Sequence, residues 1–375
     1  MQFMNIPQAK PAQLILGDCL KWLPKLPARS IDLVFADPPY YLQLNKDLYR
    51  PDDSQVQSMH EDWDQFTGFA DYDAFTYEWL SLLRRVMKPR SALWISGTYH
   101  NIFRVGAMLQ DMGYWIMNTI TWRKINGMPN FRGSRFKNDV EFLIWAKYSN
   151  KSRYTFHHNL MKRFNDFGAG KQAGSVWQIH TCGGDERLKD RTGRKLHPAQ
   201  KPEELVRRAI LATSNPGDTI LDPFMGTGTT IAVAKYLLRH SIGIESDPAY
   251  FKAAEKRIAK VDTIDPKHPD ITDALRNTLP RVAFKTLIDK GYFHIGQKLY
   301  LDRPEVTAII LENGKLACLS NGMMDTIHGL GRRLKDAQSC NGWLHWYYED
   351  EAGDRQQIDV RRAQYRADKA DKEDV

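Results

Sequence analysis

An α/β fold with an open, largely parallel sheet, followed by a small β-rich domain, is the class this sequence predicts. Three stretches predict it. The apolar run Ile31-Asp32-Leu33-Val34-Phe35-Ala36 ends abruptly in Asp37-Pro38-Pro39-Tyr40. Later, Thr219-Ile220-Leu221 enters a glycine-bearing turn, a helix starts near Thr229, and a further strand (Ser241 to Ile244) closes on Glu245. Beyond that, Pro266, Pro269 and Pro280 punctuate a polar stretch that precedes short strand-like runs. Alternating strands and helices make a parallel sheet with helices on its faces, and ligands bind outside the carboxyl ends of such strands.

At 375 residues, with 42% hydrophobic and 26% charged residues, the chain is a globular protein with material for two domains. Its net charge of +8, with 16 Tyr, 16 Phe and 10 Trp, suits a polyanionic partner with stackable bases. Cys19, Cys182, Cys318 and Cys340 form no paired spacing, so neither a metal site nor a disulfide framework is expected. No run approaches the length of a membrane span and no signal-type segment opens the chain. A cytoplasmic protein without membrane partner or metal is expected.

In order, Leu14 to Leu16 reads as a strand, Cys19 to Leu26 as a short helix, and Ile31 to Ala36 as a buried strand. Residues 41 to 66 are polar and irregular; a loop of that length is usually functional. Tyr72 to Met87 has helical spacing stopped by Lys88-Pro89. Ser91 to Ser96 is a strand, Ile102 to Met112 a helix, Trp115 to Trp122 and Val140 to Ala146 strands. Between the last two, residues 122 to 137 carry Arg123, Lys124, Arg132, Arg135 and Lys137 with no acid. Glu186 to Lys201 adds six cations against two acids. Two basic loops beside one strand-end site point to a polyanion groove. Glu203 to Thr213 and Pro248 to Val261 are helices. Residues 263 to 280 read as a linker, and Lys298 to Leu301, Thr307 to Leu311, Lys315 to Leu319 and Trp343 to Tyr348 as strands of a separate domain, 281 to 375. The last ten residues are expected to fray.

The chemistry resides in the first two stretches. Proline lacks an N–H and fixes φ, so Asp37 ends its strand and the following turn is stiff. That turn offers a carboxylate, a backbone carbonyl and an aromatic face to a flat substrate bearing an exocyclic amine. In Asp222-Pro223-Phe224-Met225-Gly226-Thr227-Gly228-Thr229-Thr230 the glycines allow close approach of backbone to ligand. Glu245, 19 residues after Gly226, can accept from both hydroxyls of a ribose. An acid in the turn, with no GxGxxG, argues against a pyrophosphate and for a ligand with a cationic portion.

Asp37-Pro38-Pro39-Tyr40 resembles the amino-methyltransferase motif of DNA adenine-N6 methyltransferases, and the stretch from Asp222 to Thr230 resembles their S-adenosylmethionine (AdoMet) loop. The first precedes the second, the circularly permuted order of the β class. His197-Pro198-Ala199-Gln200-Lys201-Pro202, Asp62-Trp63-Asp64-Gln65-Phe66, Met128-Pro129-Asn130-Phe131 and Cys340-Asn341-Gly342-Trp343 extend the likeness over residues 13 to 365, to the CcrM and HinfI-methylase (GANTC) type. The resemblance implies a class I, Rossmann-like methyltransferase domain (residues 1 to 262, with target-recognition loops about 122 to 200) and a C-terminal DNA-recognition domain. It implies AdoMet as cofactor, double-stranded DNA as substrate, and allows a homodimer. Asp37 and the Pro38 carbonyl would each accept one N6 hydrogen of a flipped adenine, with Pro39 stiffening the turn and Tyr40 stacking on the base. Glu245 would hold the ribose, Asp222 the ammonium group, and Pro223, Phe224, Gly226 and Gly228 the methionine portion. By position in the family, Asp18 closes over the adenine side of the cofactor, while Thr229, Thr230 and Lys201 flank the methionine end. For DNA the resemblance singles out Arg50, Trp63, Arg123, Arg132 and Arg135, then Thr326, Asn341, Trp343 and Arg362.

Three other readings compete. An N4-cytosine methyltransferase usually carries Ser where Asp37 stands, and an RNA or protein-glutamine methyltransferase more often carries Asn. A DNA-binding regulator with a silent methyltransferase fold would not need Asp37, Tyr40, Gly226 and Glu245 intact.

Overall fold

The computed structural model describes residues 12–42, 48–49, 55–56, 64–127, 129–130, 134–168, 170–276 and 282–373. The chain divides into two compact units, with the boundary near residue 278. In chain order the first holds β1 (Gln13–Leu16), α1 (Cys19–Trp22), β2 (Ile31–Ala36), the two-residue strands β3 (Leu48–Tyr49) and β4 (Gln55–Val56), α2 (Phe69–Val86), β5 (Met87–Gly97), α3 (Ile102–Asp111) and β6 (Trp115–Lys124). It continues with β7 (Val140–Lys147), α4 (His158–Met161), β8 (Val176–Ile179), α5 (Glu203–Thr213), β9 (Thr219–Asp222), α6 (Thr229–Tyr236), β10 (His240–Glu245), α7 (Pro248–Ala259) and α8 (Pro269–Arg276).

Eight of these strands form one sheet in the order β1-β10-β9-β2-β5-β7-β6-β8. From β1 to β5 all pairings are parallel; β7 runs antiparallel to both β5 and β6. A central parallel strand is covered on both faces, which is why β2 is apolar almost throughout. Successive residues serve opposite layers. Val34 and Ala36 pack with Trp79, Leu80 and Leu83 of α2, whereas Leu33 and Phe35 pack with Leu205, Ala209 and Ile210 of α5. Helix α2 buries Tyr72, Thr76, Trp79, Leu80, Leu83 and Val86, the stripe its spacing predicts.

Three features of the first unit depart from the sequence reading by more than a few residues at an end. Strand β5 begins at Met87 rather than Ser91, and its pairing with β2 jumps from Ile31↔Met87 to Leu33↔Ala92. Pro89 sits inside that irregularity, where its missing N–H costs no ladder bond. Residues 151 to 201, which lack periodicity, still supply β8 to the sheet edge, through Trp177 and Ile179 buried against Leu160 and α5. The expected linker contains α8, whose Ile271 packs with Leu238 and Ile264 while Ala274 joins the α5 layer. Asp270, 2% exposed, receives both Arg163 and Arg207.

The second unit contains α9 (Phe284–Asp289), β11 (Lys298–Leu301), β12 (Thr307–Ile310), β13 (Leu316–Cys318), β14 (Met324–Asp325), α10 (Ile327–Leu334), α11 (Gly342–His345), β15 (Trp346–Glu349), β16 (Arg355–Gln357) and α12 (Ile358–Glu373). Its six strands form an antiparallel sheet, β14-β13-β12-β11-β15-β16. The stretch read as a strand from Trp343 starts instead with α11. A Cβ on Gly342 would lie 2.4 Å from the Ile327 carbonyl oxygen, so glycine lets the chain press onto α10 and drives Trp343 into the core. The terminal segment expected to fray is helical to Glu373.

Removing the Asp270 carboxylate should leave two guanidinium groups facing a half-buried gap. Asp270→Ala is expected to destabilise the first unit by about 2 kcal/mol or more in urea unfolding. A loss below about 0.5 kcal/mol, the range of an ordinary surface change, would show that α8 is a mere connector.

Candidate active site

Parallel pairing aligns strand ends, and here it aligns polar groups. Five adjacent strands deliver Asp18 (after β1), Glu245 (β10), Asp222 (β9), Asp37 (after β2) and Ser96 (β5) along one edge. Neighbouring strands are about 4.8 Å apart, so the row spans roughly 19 Å. A cleft follows it, lined by Asp18, Glu245, Asp222 and Asp37 together with Tyr40, His197, Lys201 and Phe224. The Ser96 hydroxyl reaches the Asp37 end of that cleft.

Asp37 is held on both oxygens. Its Oδ1 accepts from the Tyr40 hydroxyl at 2.6 Å and from the Ser96 hydroxyl. Its Oδ2 meets Lys201 Nζ at 2.8 Å. The Lys201 ammonium also lies 5.1 Å from the centre of the Tyr40 ring, over its face. Burial lowers the affinity of Lys201 for its proton, but the Asp37 and Glu141 carboxylates outweigh it and raise the value, so the side chain is a cation. Lys201, expected beside the methionine end of a cofactor, lines the cleft with Asp222 and Phe224 and sets its ammonium on Asp37. The Tyr40 hydroxyl, buried among Asp37, Glu141 and Ser96, is pushed well above its ordinary value, chiefly by burial, and stays neutral.

The turn after Asp37 is clamped by Asp64. Its Oδ1 accepts from the amides of Tyr40 and Tyr41, both at 2.7 Å, and its Oδ2 from Leu42 at 2.8 Å. Three successive amides converging on one carboxylate bend the backbone, and Tyr41 takes a left-handed φ of 51°. The strain is balanced by packing: the Tyr41 ring is stacked on Tyr72 and edge-on to Phe66 and Phe69. Desolvation pushes the Asp64 carboxyl upward against the pull of these three amides.

At the other end, Glu245 Oε2 accepts from Gly226 N and Oε1 from Asp247 N, each at 2.8 Å, leaving one lone pair per oxygen for a ligand. Gly226 (φ 52°) and Gly228 (φ 79°) are left-handed, so the turn needs glycine at both. Asp222 is fully buried, accepts from Phe224 N at 3.0 Å and bonds Thr230; burial raises its carboxyl to about 7. Thr229 is engaged by Arg257 at 2.9 Å. Asp18 caps α1 through Leu20 N at 2.9 Å. His197 packs against Tyr250 with ring centres 4.5 Å apart, and burial depresses it to about 4.

The expected DNA contacts divide. Arg50, Trp63 and Arg132 lie outside the described residues. Arg123 and Arg135 are exposed, the latter donating to the Tyr99 hydroxyl at 3.2 Å. Lys124, counted in the basic loop, is turned inward and pairs with Glu141 at 2.7 Å. Thr326 and Asn341 are exposed at the starts of α10 and α11. Trp343 is a correction: it is 6% exposed, packed between Phe284 and the Arg362 guanidinium 4.2 Å away, so its faces belong to the core. Arg362 is correspondingly half-buried, and it pairs with Asp359. Asp64, Ser96 and Glu141 are not among the expected site residues, because isolated acids and serines carry no spacing signal.

A family profile for DNA methylases matches residues 31–256, and one described as Restriction Enzyme Adenine Methylase Associated matches residues 266–371. The Type II methyltransferase M.HinfI of Haemophilus influenzae is 38% identical over 335 residues, 89% of this chain and 91% of that protein. The Type II methyltransferase M2.LlaDCHI of Lactococcus lactis subsp. cremoris is 41% identical over 250 residues, 66% of this chain and 90% of that one. In fold, the solved structure of the cytosine-N4-specific PvuII DNA methyltransferase is similar with a TM-score of 0.52 and 21% identity, covering 72% of this chain and 93% of its own.

Asp64→Ala strands three amide donors at the turn. It is expected to destabilise the unit by about 2 kcal/mol or more, with Asp64→Asn, which keeps one acceptor, losing less. Urea unfolding of both variants checks this; equal stability of all three proteins would refute the clamp.

Proposed function

The chain belongs to the DNA methylase family and is a site-specific adenine methyltransferase that uses AdoMet, and we propose how its strand-end row divides that work. Adenine N6 is a weak nucleophile because its lone pair is delocalised into the ring. Asp37 and the Pro38 carbonyl each accept one N6 hydrogen, which lets the nitrogen pyramidalise and turn its lone pair toward the sulfonium methyl. Positioning and hydrogen bonding supply the rate, with no covalent intermediate. The observation that carries this reading is the cleft itself: an acceptor carboxylate beside an aromatic at one end, a buried Asp222 in the middle, and Glu245 with spare lone pairs beyond.

Glu245 holds the ribose of AdoMet, Asp222 its ammonium group, and the backbone from Phe224 to Gly228 its methionine chain, with Asp18 over the adenine. The cofactor supplies an electrophilic methyl when bound. Tyr40 flanks the extruded base, whose removal from the stack costs a few kcal/mol. The exposed Arg123 and Arg135, with Arg50, Trp63 and Arg132, serve the target strand. Thr326, Asn341 and Arg362 belong to a C-terminal DNA-recognition domain that starts after α8. GANTC is the proposed site, in keeping with the likeness to M.HinfI, and arginine contacts to guanine suit it. A homodimer and a cytoplasmic setting complete the proposal; no helix among the described residues is long and apolar enough to cross a membrane.

Mapping N6-methyladenine in DNA exposed to the protein tests base and sequence together. Asp37→Ala is expected to bind AdoMet and DNA within about threefold of the parent while methyl transfer falls by about 10³-fold or more. Unchanged turnover would overturn the acceptor role, and N4-methylcytosine in the map would overturn the adenine assignment.

Asp222 adds a pH signature. Its carboxyl is raised to about 7, so it holds a proton below that value and offers a charge to an ammonium only above it. AdoMet affinity should therefore fall as pH drops through 7, by up to about tenfold per unit. Asp222→Asn should bind more weakly and without this dependence. Calorimetric titration from pH 8 to 6 checks it, and a flat profile in the parent would remove Asp222 from the ammonium site.

A further inference from the structure

We propose that Lys201 is a two-position gate on the acceptor pocket, resting on Asp37 while the pocket is empty and moving to Glu141 when the target base enters. This rests on the reading of Asp37 as the N6 acceptor.

An adenine delivering its amine to Asp37 needs a free lone pair on that carboxylate and room beside the Tyr40 ring. Oδ1 already accepts two hydroxyls, from Tyr40 and Ser96. Oδ2 accepts the Lys201 ammonium at 2.8 Å, so a further donor to it must lie beside that cation, and the same ammonium stands 5.1 Å over the face of the Tyr40 ring. One cation thus borders both places that the base requires. It is a buried cation, 7% exposed, so leaving its carboxylate partners would cost it their compensation without the hydration of a surface lysine.

A second place is built beside it. Glu141 Oε2 lies 3.7 Å from Lys201 Nζ, is shielded from solvent and makes no hydrogen bond. Buried carboxylate oxygens are rarely left so, because an unmet acceptor of this kind costs on the order of 1–3 kcal/mol. The other oxygen, Oε1, is fixed by Lys124 at 2.7 Å, which keeps Oε2 turned toward Lys201. A shift of the ammonium by about 1 Å would convert the 3.7 Å approach into a charged hydrogen bond. The remaining contact of Lys201 Nζ, to the Ala199 carbonyl at 3.5 Å, is long and costs little to lose. Moving to Glu141 exchanges one carboxylate partner for another, so the cation stays paired and the proton count does not change. What changes is that the ammonium releases Asp37 Oδ2, whose lone pair becomes available to an incoming amine. Glu141 is then a positioning residue: it touches no substrate and acts through Lys201.

Glu141→Gln removes the charge that receives the ammonium. It is expected to lower kcat by about ten- to a hundredfold, the worth of one charged hydrogen bond, with AdoMet affinity and the KM for DNA within about twofold. In a Lys201→Met background the same substitution should change kcat by less than about twofold, because a residue acting through an absent partner has no further effect. A parent-like kcat in Glu141→Gln, or an equal loss in both backgrounds, would overturn the gate. Should either variant lose AdoMet binding through misfolding, the unmodified protein decides. A structure with target duplex and a non-reactive AdoMet analogue should show Lys201 Nζ closer to Glu141 Oε2 than to Asp37 Oδ2; an ammonium still on Asp37 with the base seated overturns the proposal. Failure of the acceptor reading itself is told apart by Asp37→Ala, whose retained turnover would remove the premise whatever Glu141 does.

Discussion

Parallel pairing of β1, β10, β9, β2 and β5 is the constraint on which the rest depends. Strands that run the same way and pair in register must end together, so the residues that stop them stand in a row. Four of the five groups in that row are carboxylates: Asp18, Glu245, Asp222 and Asp37. Crowding acids at one edge is unfavourable unless each is matched, and the structure matches them by different means. Asp18 caps a helix, Glu245 takes two backbone amides, Asp222 accepts a neutral amide with its carboxyl raised by burial, and Asp37 alone faces a buried cation. A cofactor with two cationic centres suits an edge already organised around negative charge.

The same constraint explains why the turn after β2 must be rigid. A strand end is a poor platform if the chain beyond it wanders, because a displacement of an ångström at the reacting atom is expensive in rate. Two prolines stiffen the first half of the turn. Asp64 fixes the second half by collecting three consecutive amides, and the aromatic packing of Tyr41 with Phe66, Phe69 and Tyr72 holds the left-handed residue that results. Tyr72 closes the circuit by donating its hydroxyl to the Pro39 carbonyl at 3.3 Å. The surroundings of Asp37 are thus built from the loop and from α2 as well as from the strand that feeds them, and of the three only the loop leaves no periodic trace in the sequence.

How much was legible follows from what kind of signal each feature leaves. The apolar run of β2 and the stripe of α2 are periodic, and both were read to within a few residues. The strand–turn–helix at Asp222 and the acid at Glu245 are local, and the cleft contains both. Helix α8 was read as linker because its prolines and polar residues outweigh two apolar side chains, Ile271 and Ala274; its real anchor is Asp270 between two arginines that come from distant segments. Trp343 looked like a DNA contact and is a core residue, since an aromatic carries no mark of which side it faces. Lys124 looked like part of a phosphate-binding loop, yet it is turned inward by Glu141, whose strand β7 pairs beside it. Long-range charge pairs leave no periodic trace, and they account for most of what went unread.

Those charge pairs also bear on how the two basic stretches should be understood. A count of cations makes both into equal parts of a polyanion groove. In the structure Lys124 and Lys201 are drawn into the unit by Glu141 and Asp37, and Arg187 is spent on the carbonyls of Cys182 and His197. Other cations, such as Arg123 and Arg135, are left exposed. Paired charge inside the unit orders its neighbours, and exposed charge suits the polyanionic substrate proposed above. One stretch of sequence supplies both, and only the position of the opposing carboxylates separates them.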